Sequence, residues 1–175
     1  MSKILTIDYE TSDSRVNFGQ VLQAGIVISD DKLNIQSRHE LRCRLKPTVI
    51  PSIGACLVHK IPVNILKNSN KSHYEMVLEH YNLIKDNTPS VVMGFNQVAF
   101  DIEFYRRMLY KSLIPDVYQT NTNGNRHLDI LNVSRAAKFA DNDSIQTILN
   151  EKNRDSFKLA DLSTANKINN GTSHD

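Results

Sequence analysis

The sequence predicts an α/β domain in which a mixed sheet is flanked by helices. Three observations lead to this class. Three β-prone segments lie within the first 45 residues, and a capped helical segment begins near Ser72. Beyond it, a short apolar strand-like segment is followed by further helical segments, as expected when helices cover the faces of a sheet.

The predicted strands are short and β-prone. The run Ile4–Ile7 is too short for a core helix, and Lys46-Pro47 closes the third segment. The first three strands are expected to form an antiparallel meander. The predicted strands are Lys3–Ile7, Val21–Ser29, Glu40–Leu45 and Ser90–Gly94.

The clearest helix signal is Ser72 with Glu75 three residues later. This spacing is typical of a capping box. One helical face behind it is marked by Met76, Val77, His80, Tyr81 and Ile84. Since no repeat or linker-like stretch interrupts the chain, we expect one domain over residues 1–175. The other predicted helices are two short ones after Pro51 and Pro62, followed by Val98–Tyr110, Asp129–Phe139 and Phe157–Ala165.

The composition narrows the class of protein. The chain has 21 Lys and Arg against 19 Asp and Glu, so a formal charge of +2 argues against non-specific coating of DNA. Cys43 and Cys56 lack the spacing of a zinc or redox motif. The first apolar run is short and ends at Asp8, unlike a signal peptide or a membrane span. We therefore expect a cytoplasmic monomer without membrane association.

Two carboxylates follow the first predicted strand. Residues two apart in a strand share a face, so Asp8 and Glu10 project together while Tyr9 faces the other way. A divalent cation such as Mg²⁺ or Mn²⁺ is the usual means of holding two such groups together. An Asp-x-Glu pair is also common on protein surfaces, so the pair alone leaves both interpretations open.

Two later residues extend the pattern. Asp101 lies in the first turn of the helix predicted from Val98, after the strand that ends at Gly94, where an Asp also favours the helix dipole without any metal. His174 lies in a polar segment near the end of the sequence, where a histidine is commonly just solvated. Neither residue decides the function by itself.

Taken together, these segments resemble the DnaQ-like 3′-to-5′ exonucleases of the DEDDh type, and most closely the nuclease domain of the exonuclease I family. The resemblance extends over nearly the whole chain. The segments that carry it are Asp8–Thr11, Gly94–Asp101, Leu128–Ala136, Ser156–Leu159, Leu162 with Ala165-Asn166, and His174-Asp175.

The resemblance implies an RNase H-like, five-stranded mixed sheet and a site for two Mg²⁺ or Mn²⁺ ions. Asp8 would bridge both ions, Glu10 would bind the tighter one, and Asp101 would hold the second. His174 would be the general base, a role suited to a side chain that ordinarily titrates near pH 6.5. Two ions roughly 3.5–4 Å apart would stabilise the attacking and leaving oxygens of the scissile phosphate, and the product would be a 5′-mononucleotide.

The resemblance also implies single-stranded DNA as the substrate and partner. Arginine and lysine would contact its backbone, and an aromatic ring would stack on a base. Lys158 stands where the family has an arginine, so its contact should be weaker. A single-strand DNA-binding protein would be a further partner through other domains of the family. The implied substrate-binding residues are Glu10, Thr11, Asn96, Arg106, Tyr118, Arg135 and Lys158.

The sequence departs from the family after His174. There the last acidic ligand follows the histidine by five residues, whereas this sequence ends at Asp175. We expect an N-terminal, incomplete exonuclease domain that binds metal weakly and degrades DNA poorly.

Two other functions remain open. A DnaQ-like oligoribonuclease or proofreading exonuclease would share the fold and the site. A catalytically inactive nucleic-acid-binding module would keep the fold without the chemistry.

Overall fold

The computed structural model describes residues 3–168. The chain forms two compact units, one ending at Leu128 and the other beginning at Asp129. In the first unit the strands are β1 (Lys3–Thr11), β2 (Val21–Ser29), β3 (Ile35–Arg42), β4 (Ser90–Gly94) and β5 (Arg126–Asp129), the last of which reaches the boundary. Its helices are α1 (Ile53–His59), α2 (Val63–Lys67), α3 (His73–Asp86) and α4 (Asp101–Lys111), and a 3₁₀ turn spans Gln119–Asn121.

The five strands form one mixed sheet in the order β3-β2-β1-β4-β5. β1 is central, antiparallel to β2 and parallel to β4. The predicted class, a mixed five-stranded sheet flanked by helices, is therefore confirmed.

The core lies between one face of β1 and helices α3 and α4. Leu5, Ile7 and Tyr9 alternate along β1 and are all at most 6% exposed, as expected for a strand with one face on a core. Apolar residues of the two helices, including Met76 and Met108, belong to the same buried cluster. This packing holds one face of β1 against the two helices.

Several predicted elements are confirmed at or near their bounds. β2 and β4 match the prediction, and Ser72 and Glu75 form the expected capping box at the start of α3. The first strand is longer than predicted, because pairing with β2 continues to Thr11 opposite Val21. The two carboxylates thus lie within β1 rather than after it.

The prediction of a strand at Glu40–Leu45 was wrong in its bounds. β3 pairs with β2 from Ile35 to Arg42, and its first two residues, Ile35 and Gln36, are exposed, as is usual in an edge strand. Leu45 instead packs with Leu66 of α2 in a second, smaller cluster. The helix predicted from Val98 begins at Asp101, after a turn.

The second unit contains α5 (Ile130–Ala140), the two-stranded pair β6 (Ile148–Leu149) and β7 (Asp155–Ser156), and α6 (Leu159–Ala165). Asp129 caps α5 through a hydrogen bond from the amide of Leu131. Both helices were predicted, but the β6–β7 pair was not. None of the helices within residues 3–168 is long and apolar enough to cross a bilayer.

Candidate active site

The site is built on the second half of β1. Asp8 is exposed and Glu10 is half-buried, while Tyr9 between them is only 6% exposed. This alternation presents the two carboxylates on the face opposite the tyrosine, as the sequence predicted. The register of β1 and β2 shifts between Glu10 and Thr11, so the regular ladder is interrupted beside the pair.

Asp101 joins this pair from a distant part of the chain. Its side chain is 5% exposed, and Oδ1 accepts a hydrogen bond of 3.1 Å from the amide of Tyr9. The pairing of β1 with β4 runs only as far as Thr6 opposite Met93, so this amide lies beyond the last β4 partner. The carboxylate of Asp101 is therefore fixed against the backbone that carries Asp8 and Glu10.

The turn from β4 to α4 explains how Asp101 reaches β1. A Cβ atom on Gly94 would lie 2.9 Å from the carbonyl oxygen of Ile7, so this close approach requires glycine. Asn96 has a φ of 58°, in the left-handed region. Buried Gln97 donates through Nε2 to the carbonyl oxygens of Val92 and Leu128, at 2.7 and 3.0 Å. These features hold the turn against the ends of β4 and β5.

A buried polar cluster lies behind the carboxylates. The hydroxyl of Tyr9 is 2.7 Å from Nε2 of His80, which is fully buried. Burial raises the pKa of Tyr9 well above its usual value and lowers the pKa of His80 to about 4. Both groups are therefore neutral at pH 7, and they share a hydrogen bond whose donor depends on the tautomer of the imidazole. The ring of Tyr105 lies 4.9 Å from that of His80, and its hydroxyl donates to Oε1 of Gln119.

Sequence reasoning missed this cluster. Tyr9 was predicted only to face away from the carboxylates, and His80 was read as part of the apolar face of a helix. The available signal was a histidine on that face, which needs a polar partner once it is buried.

A cavity of about 420 Å³ opens next to Glu10 and Thr11. Its far side is formed by α1, where Val58 is exposed and His59 is buried, and the ring of Phe100 also lines it. The α1 and Phe100 residues were not among the predicted site residues. The cavity is mostly apolar beside a carboxylate, which suits a nucleoside.

Two predicted substrate residues come together on the surface of the first unit. The guanidinium of Arg106 lies 4.9 Å from the ring centroid of Tyr118, and its Nη1 donates to Glu103 at 2.7 Å. Tyr118 is 56% exposed, so much of its side chain is accessible for contact with a base.

The remaining substrate residues, Arg135 and Lys158, belong to the second unit. Arg135 lies 5.9 Å from the ring centroid of Phe157. Lys158 is the N-cap residue of α6 and lines a wide cavity of about 640 Å³ with Asp161. The predicted general base, His174, lies outside the described residues.

The donor chemistry of Asp8, Glu10 and Asp101 fits a hard divalent cation, because all three side chains offer carboxylate oxygens. Within residues 3–168, however, no three Asp, Glu, His or Cys side chains converge closely enough to form a complete metal site. The described residues fit part of the ligand set for Mg²⁺ or Mn²⁺ and do not complete it.

The chain is similar in sequence to two bacterial exodeoxyribonucleases. No family model matches the chain. It is 28% identical over 165 residues to exodeoxyribonuclease I of Buchnera aphidicola from Acyrthosiphon pisum, covering 94% of this chain and 40% of the relative. It is 24% identical over 175 residues to the Escherichia coli enzyme, covering 99% of this chain and 37% of that protein.

The same similarity holds for solved structures. E. coli exonuclease I in complex with a dT13 oligonucleotide has a TM-score of 0.91 and 25% identity, covering all of this chain and 38% of that one. An exonuclease I complex with the SSB C-terminus has the same TM-score at 24% identity, covering 99% and 38%. The resemblance to the exonuclease I nuclease domain and its RNase H-like fold is thereby confirmed. The chain spans about two fifths of the length of the first of these relatives.

Proposed function

Because this chain has the nuclease fold of the exonuclease I family, we propose that it hydrolyses single-stranded DNA from the 3′ end and releases 5′-mononucleotides. The hydrogen bond from the amide of Tyr9 to Asp101 carries the proposal. It brings a carboxylate from the start of α4 to the strand that presents Asp8 and Glu10. Residues 92 positions apart in the chain thus meet at one end of β1.

In this proposal Asp8, Glu10 and Asp101 would supply carboxylate ligands for two Mg²⁺ or Mn²⁺ ions, which is the part of the ligand set that the described residues contain. When bound, the ions stabilise the negative charge that develops on the attacking and leaving oxygens of the phosphate. Asp101 also keeps β1 in place through the Tyr9 amide, and the Tyr9–His80 hydrogen bond fixes the opposite face of the strand. His174 takes the proton from the attacking water.

The cavity beside Glu10 accepts the 3′-terminal nucleotide. The ring of Phe100 and the apolar wall of α1 contact the base or the sugar, while Thr11 lies at the carboxylate end. Arg106 and Tyr118 contact the DNA farther along the strand, where a guanidinium and an exposed ring tolerate any base. Asn96, Arg135 and Lys158 complete the proposed contacts.

A non-catalytic nucleic-acid-binding module is the second candidate. The observation that favours it is the lack of a complete metal-ligand group within residues 3–168. Such a module would use the Arg106–Tyr118 surface and the cavity beside Glu10 to bind DNA without cleaving it.

Digestion of a single-stranded oligonucleotide labelled at its 5′ end separates the two functions. The proposed exonuclease shortens the labelled oligonucleotide stepwise from its 3′ end, however slowly. This reaction requires Mg²⁺ or Mn²⁺. Asp8→Ala should abolish the reaction, whereas Asp31→Ala, in the exposed turn after β2, should not. Metal-dependent DNA binding without any shortening would favour the binding module.

The choice of substrate needs a second assay. A parallel digestion of long single-stranded DNA and of dinucleotides of RNA distinguishes exonuclease I-like activity from an oligoribonuclease. Preference for the dinucleotides would replace the proposed substrate. For the whole protein we also propose a cytoplasmic location and single-strand DNA-binding protein as a partner, in line with the SSB complex of the similar structure.

A further inference from the structure

A second cavity in the first unit lies apart from the candidate active site. Its volume is about 250 Å³, and it shares no lining residue with the cavity beside Glu10. Lys46, Arg107 and Lys111 line it, and no Asp or Glu does. Its charged lining is therefore entirely positive.

Among residues 3–168, none of these three cations forms an ion pair with an Asp or Glu side chain. The ion pairs between residues in the 3–168 range all involve other lysines and arginines. Lys111 donates to a main-chain carbonyl, that of Asn17, at 2.9 Å. Burial, followed by the charges of Lys46 and Arg107, lowers the pKa of Lys111. Three like charges thus face one space, and an anion there would relieve their repulsion.

A buried histidine lines the same cavity. His73 is 6% exposed, and its Nδ1 is buried without a hydrogen-bond partner among the described residues. Burial, with smaller contributions from Lys46 and Lys111, lowers the pKa of His73 to about 4. The imidazole is neutral at pH 7, and a hydrogen bond to a ligand in the cavity would satisfy this buried polar group, whose lack of a partner is otherwise costly.

We propose that this cavity binds a phosphoryl dianion, with Lys46, Arg107 and Lys111 supplying the charge and His73 a hydrogen bond. Three cations match a doubly charged group better than a carboxylate. The volume is below the roughly 300 Å³ at which pockets for drug-sized ligands begin, so the cavity suits a phosphate group. That group can come from inorganic phosphate or from a mononucleotide whose base lies outside, near the exposed ring of Phe18. The site does not depend on the proposed nuclease activity.

Calorimetric titration tests the proposal. Inorganic phosphate and dAMP are titrated separately into the purified chain at constant ionic strength, with EDTA present to exclude metal-bridged phosphate. Acetate serves as the singly charged control. Both phosphates should bind saturably and acetate should not. Equal affinities identify the phosphate group as the ligand, and tighter binding of dAMP adds a contact to its base.

Variants locate the binding. Lys46→Ala and Arg107→Ala should each weaken phosphate binding by about tenfold or more, as expected for the loss of one charge-assisted hydrogen bond. Lys32→Ala, in the exposed turn after β2, should leave it unchanged. Circular dichroism checks that each variant folds.

The histidine gives an independent readout. Added phosphate should raise the pKa of His73 from about 4 toward its usual range, as followed by NMR of its ring protons. Saturable binding that Lys46→Ala and Arg107→Ala leave unchanged would overturn the proposal. So would the absence of phosphate binding in the folded wild-type chain.

Discussion

Replacing Tyr9 with phenylalanine tests whether the buried hydroxyl stabilises the strand that carries the carboxylates. The substitution removes the 2.7 Å hydrogen bond to His80 and retains the ring in the core. Nδ1 of His80 already lacks a partner among the described residues, so the variant leaves this fully buried imidazole without a hydrogen bond.

The expected cost follows from these contacts. A buried hydrogen bond contributes about 1 kcal/mol, and an unsatisfied buried polar group costs about 1–3 kcal/mol. We therefore expect the free energy of unfolding to fall by about 2 kcal/mol. For a chain of this size the melting temperature should drop by about 4–8 °C.

Urea denaturation and calorimetry measure both quantities. Tyr74→Phe, on the same helix as His80 but 53% exposed, is the matched control and should change stability by less than about 0.5 kcal/mol. Tyr9→Phe keeps the main-chain amide of residue 9 and hence the hydrogen bond to Asp101, so any loss of stability in this variant comes from the missing hydroxyl. If Tyr9→Phe were as stable as Tyr74→Phe, the hydroxyl would not stabilise β1.

Three further predictions concern the same unit. His73 and His80 have a pKa of about 4 in the folded chain against 6.5 in the unfolded chain, so the unfolded chain binds more protons between these two pH values. The free energy of unfolding, measured in urea titrations, should therefore fall by up to about 3 kcal/mol per histidine as the pH drops from 6.5 to 4. A free energy of unfolding that does not change over this pH range would contradict the prediction. Gly94→Ala should lower the free energy of unfolding by about 1–3 kcal/mol, because its Cβ would press on β1. Gly54→Ala, with nothing within 4 Å of the added atom, is the control and should stabilise α1 slightly. Equal denaturation midpoints for Gly94→Ala and Gly54→Ala would refute the close approach of Gly94 to β1. Asp101→Asn keeps an acceptor for the Tyr9 amide, so the melting temperature of this variant should match that of the wild type. Its metal-dependent release of nucleotides should fall by about 100-fold or more. Release equal to that of the wild type would remove Asp101 from the site.

The sequence predicted the parts of the fold that depend on local patterns. Period-two alternation placed Asp8 and Glu10 on one face, and the capping box placed the start of α3. The bounds of β3 were missed because an edge strand needs no continuous apolar face. The length of β1 depends on its pairing with β2, which is a long-range contact that no local pattern shows.

The site was predicted only in part for the same reason. The segment Gly94–Asp101 indicated where a third carboxylate begins a helix, but the contact of Asp101 with the Tyr9 amide depends on the close approach of Gly94 to β1. The Tyr9–His80 pair joins a strand to a helix 71 residues later, and sequence spacing does not show it. The cavity wall on α1 was missed because exposed apolar residues in a short helix carry no specific motif.

Binding of Mn²⁺ to the purified chain tests the central claim that the carboxylates around β1 form a metal site. Electron paramagnetic resonance of free Mn²⁺ during a titration gives the bound fraction directly. We expect saturable binding that Asp8→Ala abolishes and Asp31→Ala does not. Binding that is unchanged in Asp8→Ala, or no saturable binding at all, would contradict the account.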